Sequence, residues 1–148
     1  MKSNDFVSIV IPVYNGEQFV AHAVDSALHQ TYDPVEIVVV DDGSTDATRE
    51  KLEPYIRLNQ IVYVYQKNGG LSAARNTGVR VSRGKYIALL DCDDLYLPDK
   101  IKFQVRALEQ NPDYDVCYCD LLHFTEKSPR RYYHHKYCYK YRSGTLFS

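Results

Sequence analysis

Residues 85–99, KYIALLDCDDLYLPD, decide the fold of this chain. Tyr86 to Leu90 is a short apolar run, long enough for a strand buried on both faces. It ends abruptly in Asp91, Asp93 and Asp94, with Cys92 as a spacer. Pro98 then suits the first turn of a following helix. Clustered carboxylates repel one another and are hard to neutralise inside a protein without a cation. Oxygen ligands at the carboxyl end of a buried strand suit Mg²⁺ or Mn²⁺, and such a metal can bridge to a diphosphate. Taken alone, D-x-D-D is more often a solvated acidic loop that caps a helix, so the rest of the chain has to decide.

The segments before it alternate. Phe6 to Ile11 is an apolar run that reads as a buried strand ended by Pro12, and Tyr14-Asn15-Gly16 is a turn. From Glu17 onward, Phe19, Val20, Ala23, Val24, Ala27 and Leu28 form the stripe of an amphipathic helix, broken at Tyr32-Asp33-Pro34. Glu36 to Val40 is a second buried strand, and it too ends in acids, Asp41-Asp42. Thr45 to Leu58 reads as a helix that Pro54 must shorten or kink. Ile61 to Tyr65 is a third strand, Asn68-Gly69-Gly70 a flexible turn, and Leu71 to Val81 a short helix with Ala73, Ala74 and Val79 as its apolar marks. After the acidic turn, Asp99 to Glu109 is a fourth helix with Ile101, Val105 and Leu108 on one face. Asn111-Pro112-Asp113 is a turn, and Val116 to Leu122 reads as a fifth strand.

That β-α alternation predicts a three-layer α/β/α domain with a mostly parallel sheet. Ligands of such folds bind beyond the carboxyl ends of the strands. The polar residues fall there: Tyr14 and Asn15, Asp41 and Asp42, Lys67 and Asn68, and Asp91 to Asp94. Asp41 reads as a structural cap. Tyr14 either packs in its turn or lines a pocket, and Asn15 suits a cap for the first helix.

A length of 148 residues fits one domain with a real core, and 45% hydrophobic with 25% charged residues reads as soluble and globular. No apolar run approaches a membrane span, and the first residues do not read as a signal peptide. The four cysteines, Cys92, Cys117, Cys119 and Cys138, contain no C-x-x-C pair, so they are expected to be reduced in a cytoplasmic compartment. Without paired-ligand spacing, Cys117, Cys119, His123 and Cys138 make a poor zinc set. Formal net charge is −1, yet residues 130–142 hold five Lys or Arg and no acid, which leaves −6 on the remainder. A uniformly basic nucleic-acid binder is excluded on that balance. The five tyrosines of the same stretch suit a remnant strand or a patch for an anionic membrane surface.

Four segments together carry a resemblance: VSIVIPVYNGEQFVAHAVDSALHQTY, EIVVVDDGSTDAT, NGGLSAARNTGV and GKYIALLDCDDLYLPDKI. In order and spacing, over about residues 6 to 120, they resemble the family 2 glycosyltransferases of the GT-A fold, in the N-terminal part that binds the nucleotide-sugar. The resemblance implies transfer of a sugar from a nucleotide diphosphate donor, a UDP-sugar as first guess. It also implies a divalent metal, Mn²⁺ or Mg²⁺, and inversion. The acceptor would be a saccharide or a lipid-linked one, in cell-surface polysaccharide synthesis in the cytoplasm or at the inner membrane face. By position, Pro12, Tyr14 and Glu17 would line the nucleotide pocket, Asp42 would bond the base, and Arg75 would lie beside the nucleotide. Asp91 and Asp93 form the D-x-D, the first toward the ribose or the metal's shell, the second on the metal.

Catalytic domains of this kind continue for about another hundred residues. On that comparison residues 1–125 read as the donor-binding core and 126–148 as the start of an acceptor side. After Asp120 the only acid is Glu126, so no catalytic base is assigned. A binding module without turnover is the alternative. A receiver domain would need its acids after strand one, where Pro12-Val13-Tyr14-Asn15 stands. A dinucleotide oxidoreductase would need G-x-G-x-x-G there.

Overall fold

The structure is a computed structural model, and it describes residues 6–119. The chain divides into two compact units, Met1–Ile101 and Lys102–Ser148. Four strands, β1 (Val7–Val13), β2 (Val35–Asp41), β3 (Val62–Tyr65) and β4 (Tyr86–Leu89), form one sheet in the order β3-β2-β1-β4. Every pairing is parallel. The helices of the first unit are α1 (Val20–Leu28), α2 (Thr48–Arg57) and α3 (Leu71–Val81), and α4 (Lys100–Glu109) begins at its end.

Alternation along the strands sorts the core into two faces. Val10, Val38 and Val62 are in register, as are Val40 and Val64, and this face packs on Ala74 of α3. Ile9, Ile11, Ile37 and Val39 are equally buried on the other face. There Arg49 of α2 lies 5.1 Å from the ring of Tyr63, and Tyr55 of α2 donates to Asp25 of α1 at 2.8 Å. The result is the expected α/β/α layering around a parallel sheet.

The apolar marks of α3 turn out differently from expectation. Val79 is exposed, and the buried pair is Ala74 and Gly78, four residues apart. A Cβ at Gly78 would stand 2.2 Å from Cγ1 of Val10. Small residues at that spacing let the helix sit close on the sheet, which a count of large apolar residues misses.

Pro12 does not end the first strand. It lies inside β1, opposite Val40. Backbone groups alternate sides along a strand: the Val13 carbonyl accepts from Asp42 N–H on the β2 side, and the Val10 carbonyl from Leu90 N–H on the β4 side. Pro12 shares the side of Val10, where β4 has already ended, so its missing N–H costs no ladder bond. Pro54 likewise lies within α2, which runs on to Arg57.

Strand β4 is not buried on both faces. Ile87 and Leu89 are 39% and 48% exposed, because β4 is the outer strand of the described sheet. The predicted fifth strand is absent over Val116–Cys119, where Val116 and Tyr118 are exposed. Alternation signals a strand only where a neighbour pairs with it. Residues 120–122 of that prediction, Glu126, His123, Cys138 and the whole of 126–148 lie outside the described residues.

At the amino end of the sheet Glu36 is buried and fully engaged. Ser8 Oγ donates to it at 2.6 Å, Arg83 N–H at 2.8 Å, and the Arg83 guanidinium at 2.8 and 3.0 Å. Burial alone would raise its pKa, but these donors outweigh burial and hold it below 4.5. In the second unit, Asn111 Nδ2 donates to the Ala107 carbonyl at the end of α4, and Gln104 donates to the Cys117 carbonyl.

Gly78→Ala should lower stability in urea unfolding. Overpacking against Val10 costs about 1–3 kcal/mol, more than the roughly 1 kcal/mol that alanine adds to helix propensity. An unchanged or raised midpoint would show that α3 can lift off the sheet freely.

Candidate functional site

Parallel pairing brings the carboxyl ends of all four strands to one edge. The chain steps outward from β1 to β2 and β3, then returns to the far side of β1 as β4. The order therefore reverses between β1 and β4, and a crevice is expected at their carboxyl ends. The turns after those two strands touch: a Cβ on Gly16 would lie 3.3 Å from Cys92 Sγ. Cys92 is thus the packing contact that sets the acidic turn against the Tyr14–Gly16 turn.

Tyr14 is 53% exposed at this edge, and Pro12 is buried two residues before it. Asn15, with φ of 52°, does not cap α1. Its Oδ1 accepts from the backbone and hydroxyl of Thr45, and its N–H donates to Ser44 Oγ. Gly16 N–H donates to Thr48 Oγ1 at 2.9 Å, and Glu17 N–H to Asp46 at 3.1 Å. Glu17 in turn accepts Ala47 N–H at 2.8 Å, one of the orphan donors at the start of α2. The turn after β1 is therefore locked to the turn after β2. Sequence reasoning gave these roles to none of Asn15, Asp46 or Thr48. A Ser, Thr and Asp cluster before a helix was the available signal.

Asp41 and Asp42 are both buried. Asp41 accepts Ser44 N–H at 2.8 Å and the Tyr63 hydroxyl at 2.7 Å, the bonds of a residue that holds a turn. Burial first, then the Asp41 charge, pushes the Tyr63 hydroxyl up to about 12. Asp42, only 3% exposed, accepts Gln66 Nε2 at 2.6 Å and the N–H groups of Gly69 and Gly70 at 2.9 and 2.8 Å. It shapes the loop that enters α3. Gly43, with φ of 80°, permits that approach, since a Cβ there would stand 2.8 Å from Asn68 N.

Arg75 and Asp91 meet. One guanidinium nitrogen lies 2.6 Å from Asp91 Oδ1, with both side chains part-exposed. Arg75 Nε is buried with no hydrogen-bond partner. A buried donor left unpaired at this edge is one that a ligand can satisfy. Asp93 is exposed, and Asp94 N–H closes the turn onto the Asp91 carbonyl at 3.0 Å. Burial raises the Cys92 thiol to about 11, with the charges of Asp93, Asp91 and Asp94 adding to it. The thiol is therefore protonated at neutral pH and reports the negative potential of the turn.

With the fold and this edge described, comparison with known proteins is direct. The chain belongs to glycosyl transferase family 2, which matches residues 8–147. It is 42% identical over 144 residues to an uncharacterized glycosyltransferase of Rickettsia prowazekii, covering 95% of this chain and 43% of that protein. It is 39% identical over 128 residues to the uncharacterized glycosyltransferase EpsJ of Bacillus subtilis, covering 86% and 36%. The chain thus spans about two fifths of the length of these relatives. Among solved structures, it resembles S. aureus TarS 1-349 in complex with UDP-GlcNAc, with a TM-score of 0.63, 27% identity, and 72% and 32% coverage. It also resembles the mannosyltransferase PcManGT of Pyrobaculum calidifontis in complex with GDP-Man and Mn²⁺, with a TM-score of 0.66, 25% identity, and 76% and 34% coverage.

The carboxyls of Asp42 and Asp46 are held below 3.8. Burial opposes this in both, and their hydrogen-bond donors prevail. A lowered folded value means stability that is complete above the ordinary value and lost as pH falls through the lowered one. Melting temperature should therefore drop as pH is taken from 5 toward 2. Asp42→Asn should cost about 1–3 kcal/mol near neutrality, because an amide hydrogen then faces N–H donors. Its pH profile should also be shallower than that of the unchanged protein. Equal slopes would place the acid sensitivity elsewhere.

Proposed function

We propose that this chain forms the donor-binding part of a glycosyltransferase that takes a sugar from a nucleotide diphosphate. The observation that carries the reading is the Asp91-Cys92-Asp93 turn at the strand reversal, set against the Tyr14–Gly16 turn with Arg75 on Asp91. The family membership and the nucleotide-sugars in the TarS and PcManGT complexes support it.

In this reading Asp93 holds a divalent metal, Mn²⁺ or Mg²⁺, and Asp91 contributes to its shell or to the ribose. The donor set fits: carboxylate oxygens suit these ions, and Cys92 stays a protonated thiol. Among the described residues no three His, Cys, Asp or Glu side chains converge. That suits Mg²⁺, which is commonly held by one or two carboxylates and the substrate's phosphates rather than by an all-protein cage. Bound there, the metal offsets the charge that develops on the leaving diphosphate.

The chain's own residues do the rest. Arg75 keeps Asp91 in place and offers its unpaired Nε to the nucleotide. Tyr14 gives an exposed aromatic face at the pocket mouth. Pro12 and Glu17 shape the wall behind it, Glu17 through its bond to α2. Asp42 Oδ2 accepts one N–H from Gly70 and retains capacity for a base N–H. UDP is the first candidate nucleotide, with inversion at the sugar, and a saccharide or lipid-linked acceptor in cell-surface polysaccharide synthesis. No described helix is long and apolar enough to cross a membrane. Action in the cytoplasm, against the inner membrane face, is part of the proposal.

Titration calorimetry with UDP tests it. Affinity should be at least tenfold higher with Mn²⁺ than with EDTA, and Asp93→Ala should remove that difference. Equal affinity in both buffers would sink the metal assignment. A sugar-transfer assay run beside it separates a transferase from a module that only binds.

A further inference from the structure

The segment that follows the acidic turn is tied back to the fold at both ends. Leu90 N–H donates to the Val10 carbonyl just before the turn. Just after it, the Tyr96 hydroxyl returns to the Leu89 carbonyl at 2.6 Å, and the Tyr96 ring is buried. Residues 90–95 therefore form a loop whose base is stapled by one phenol. Tyr96 N–H donates to Ser26 Oγ of α1 at 3.1 Å. Beyond the end of α1, Gln30 Nε2 donates to the Leu97 carbonyl at 2.9 Å, and its Oε1 accepts Ile101 N–H at 3.1 Å. Thr31 N–H donates to the Pro98 carbonyl at 2.9 Å, and its hydroxyl to Asp99 at 2.6 Å.

We propose that Tyr96, Gln30 and Thr31 are positioning residues that clamp the Asp91–Leu95 turn in the shape that takes a metal-bound diphosphate. This rests on the donor-site reading above. Three carboxylates in four residues push such a turn open. Arg75 offsets Asp91 directly. A turn that must bind a small, geometrically demanding cation has to be held against that repulsion beforehand, or binding bears the cost of closing it. The clamp supplies the restraint from outside the turn, through the backbone on either side of it, and leaves the Asp93 side chain exposed.

The chemistry of each member is specific. Gln30 needs both a donor and an acceptor, since it bonds a carbonyl and an N–H at once. A glutamate there would set a carboxylate against the Leu97 carbonyl. Tyr96 needs its hydroxyl for the staple, while its ring also lies 4.1 Å from the Lys100 ammonium. Phenylalanine would keep the ring contacts and remove only the staple.

Two readouts test the clamp in Tyr96→Phe and Gln30→Glu. One is UDP affinity by calorimetry, with Mn²⁺ and with EDTA. The other is the labelling rate of Cys92 by a thiol reagent without ligand, which follows opening of the turn. The expected result for Tyr96→Phe is a five- to tenfold weaker affinity in Mn²⁺, affinity in EDTA within twofold of the unchanged protein, and Cys92 labelled several-fold faster. Cys117 and Cys119 should label at their original rates. Gln30→Glu should show the same pattern, and serves if one variant fails to fold. An unchanged Mn²⁺ affinity with an unchanged Cys92 rate overturns the clamp. An equal loss in Mn²⁺ and EDTA overturns it too, since the defect is then not specific to the turn. If the unchanged protein binds UDP equally in both buffers, the donor-site reading fails and the role toward the metal falls with it. The ligand-free Cys92 rate distinguishes that failure from a turn that was never clamped.

Discussion

Parallel pairing of β1 with both of its neighbours is the constraint on which the rest depends. It sends every strand's carboxyl end to the same edge, and the acids that end β2 and β4 arrive there together. Like charges gathered at one edge need donors, and the loops are built to supply them. Asp41 takes an N–H and a phenol, Asp42 takes two glycine N–H groups and an amide, and Asp91 takes a guanidinium. The positive φ angles of Gly43 and Gly70 belong to the same solution, because those loops must bend sharply to present backbone donors.

Packing on the sheet reaches into the site through α3. Ala74 and Gly78 set the depth of that helix against Val10. Arg75 is the residue after Ala74, so the depth of the helix governs how its guanidinium meets Asp91. The loop gripped by Asp42 leads directly into the same helix, and Gly70 N–H is one of the groups held. Two contacts that look structural, one at each end of the helix, thereby fix one charged side chain at the strand reversal.

Much of this was legible in the sequence, for physical reasons that can be named. The helix expected over Leu71–Val81 is the span α3 occupies, because the Asn68-Gly69-Gly70 turn before it and Gly84 beyond it bound the pattern. The layering and the parallel sheet followed from alternating apolar runs, and the four motifs pointed to the family that residues 8–147 belong to. What failed depended on neighbours. Pro12 reads as a strand end until β1 is seen to run on through it, paired with β2 after β4 has finished. Ile87 and Leu89 read as core until β4 proves to be the outer described strand. Val116–Cys119 alternates like a strand but does not form one. Asn15 reads as a cap for the nearest helix, whereas its bonds run thirty residues ahead to Thr45. Local pattern carries element type, and it carries little about which loop will hold which.

The two ends of the sheet treat the same functional group in opposite ways. At the amino end Glu36 is buried and accepts from the Ser8 hydroxyl and from the backbone and guanidinium of Arg83, which holds its pKa down and makes it part of the scaffold. At the carboxyl end the acids divide. Asp41 and Asp42 are treated like Glu36, with bonds inside the protein and almost no exposure. Asp93 stands exposed on a turn whose restraints come from Tyr96 and the end of α1 rather than from its own carboxylate. A carboxylate that accepts several internal hydrogen bonds has less capacity left for a ligand than one that accepts none. Holding the backbone of an acidic turn from outside leaves the Asp93 side chain open at the edge of the sheet. An arrangement that served stability alone would have turned Asp93 inward to donors, as it did Asp41 and Asp42 at the end of β2.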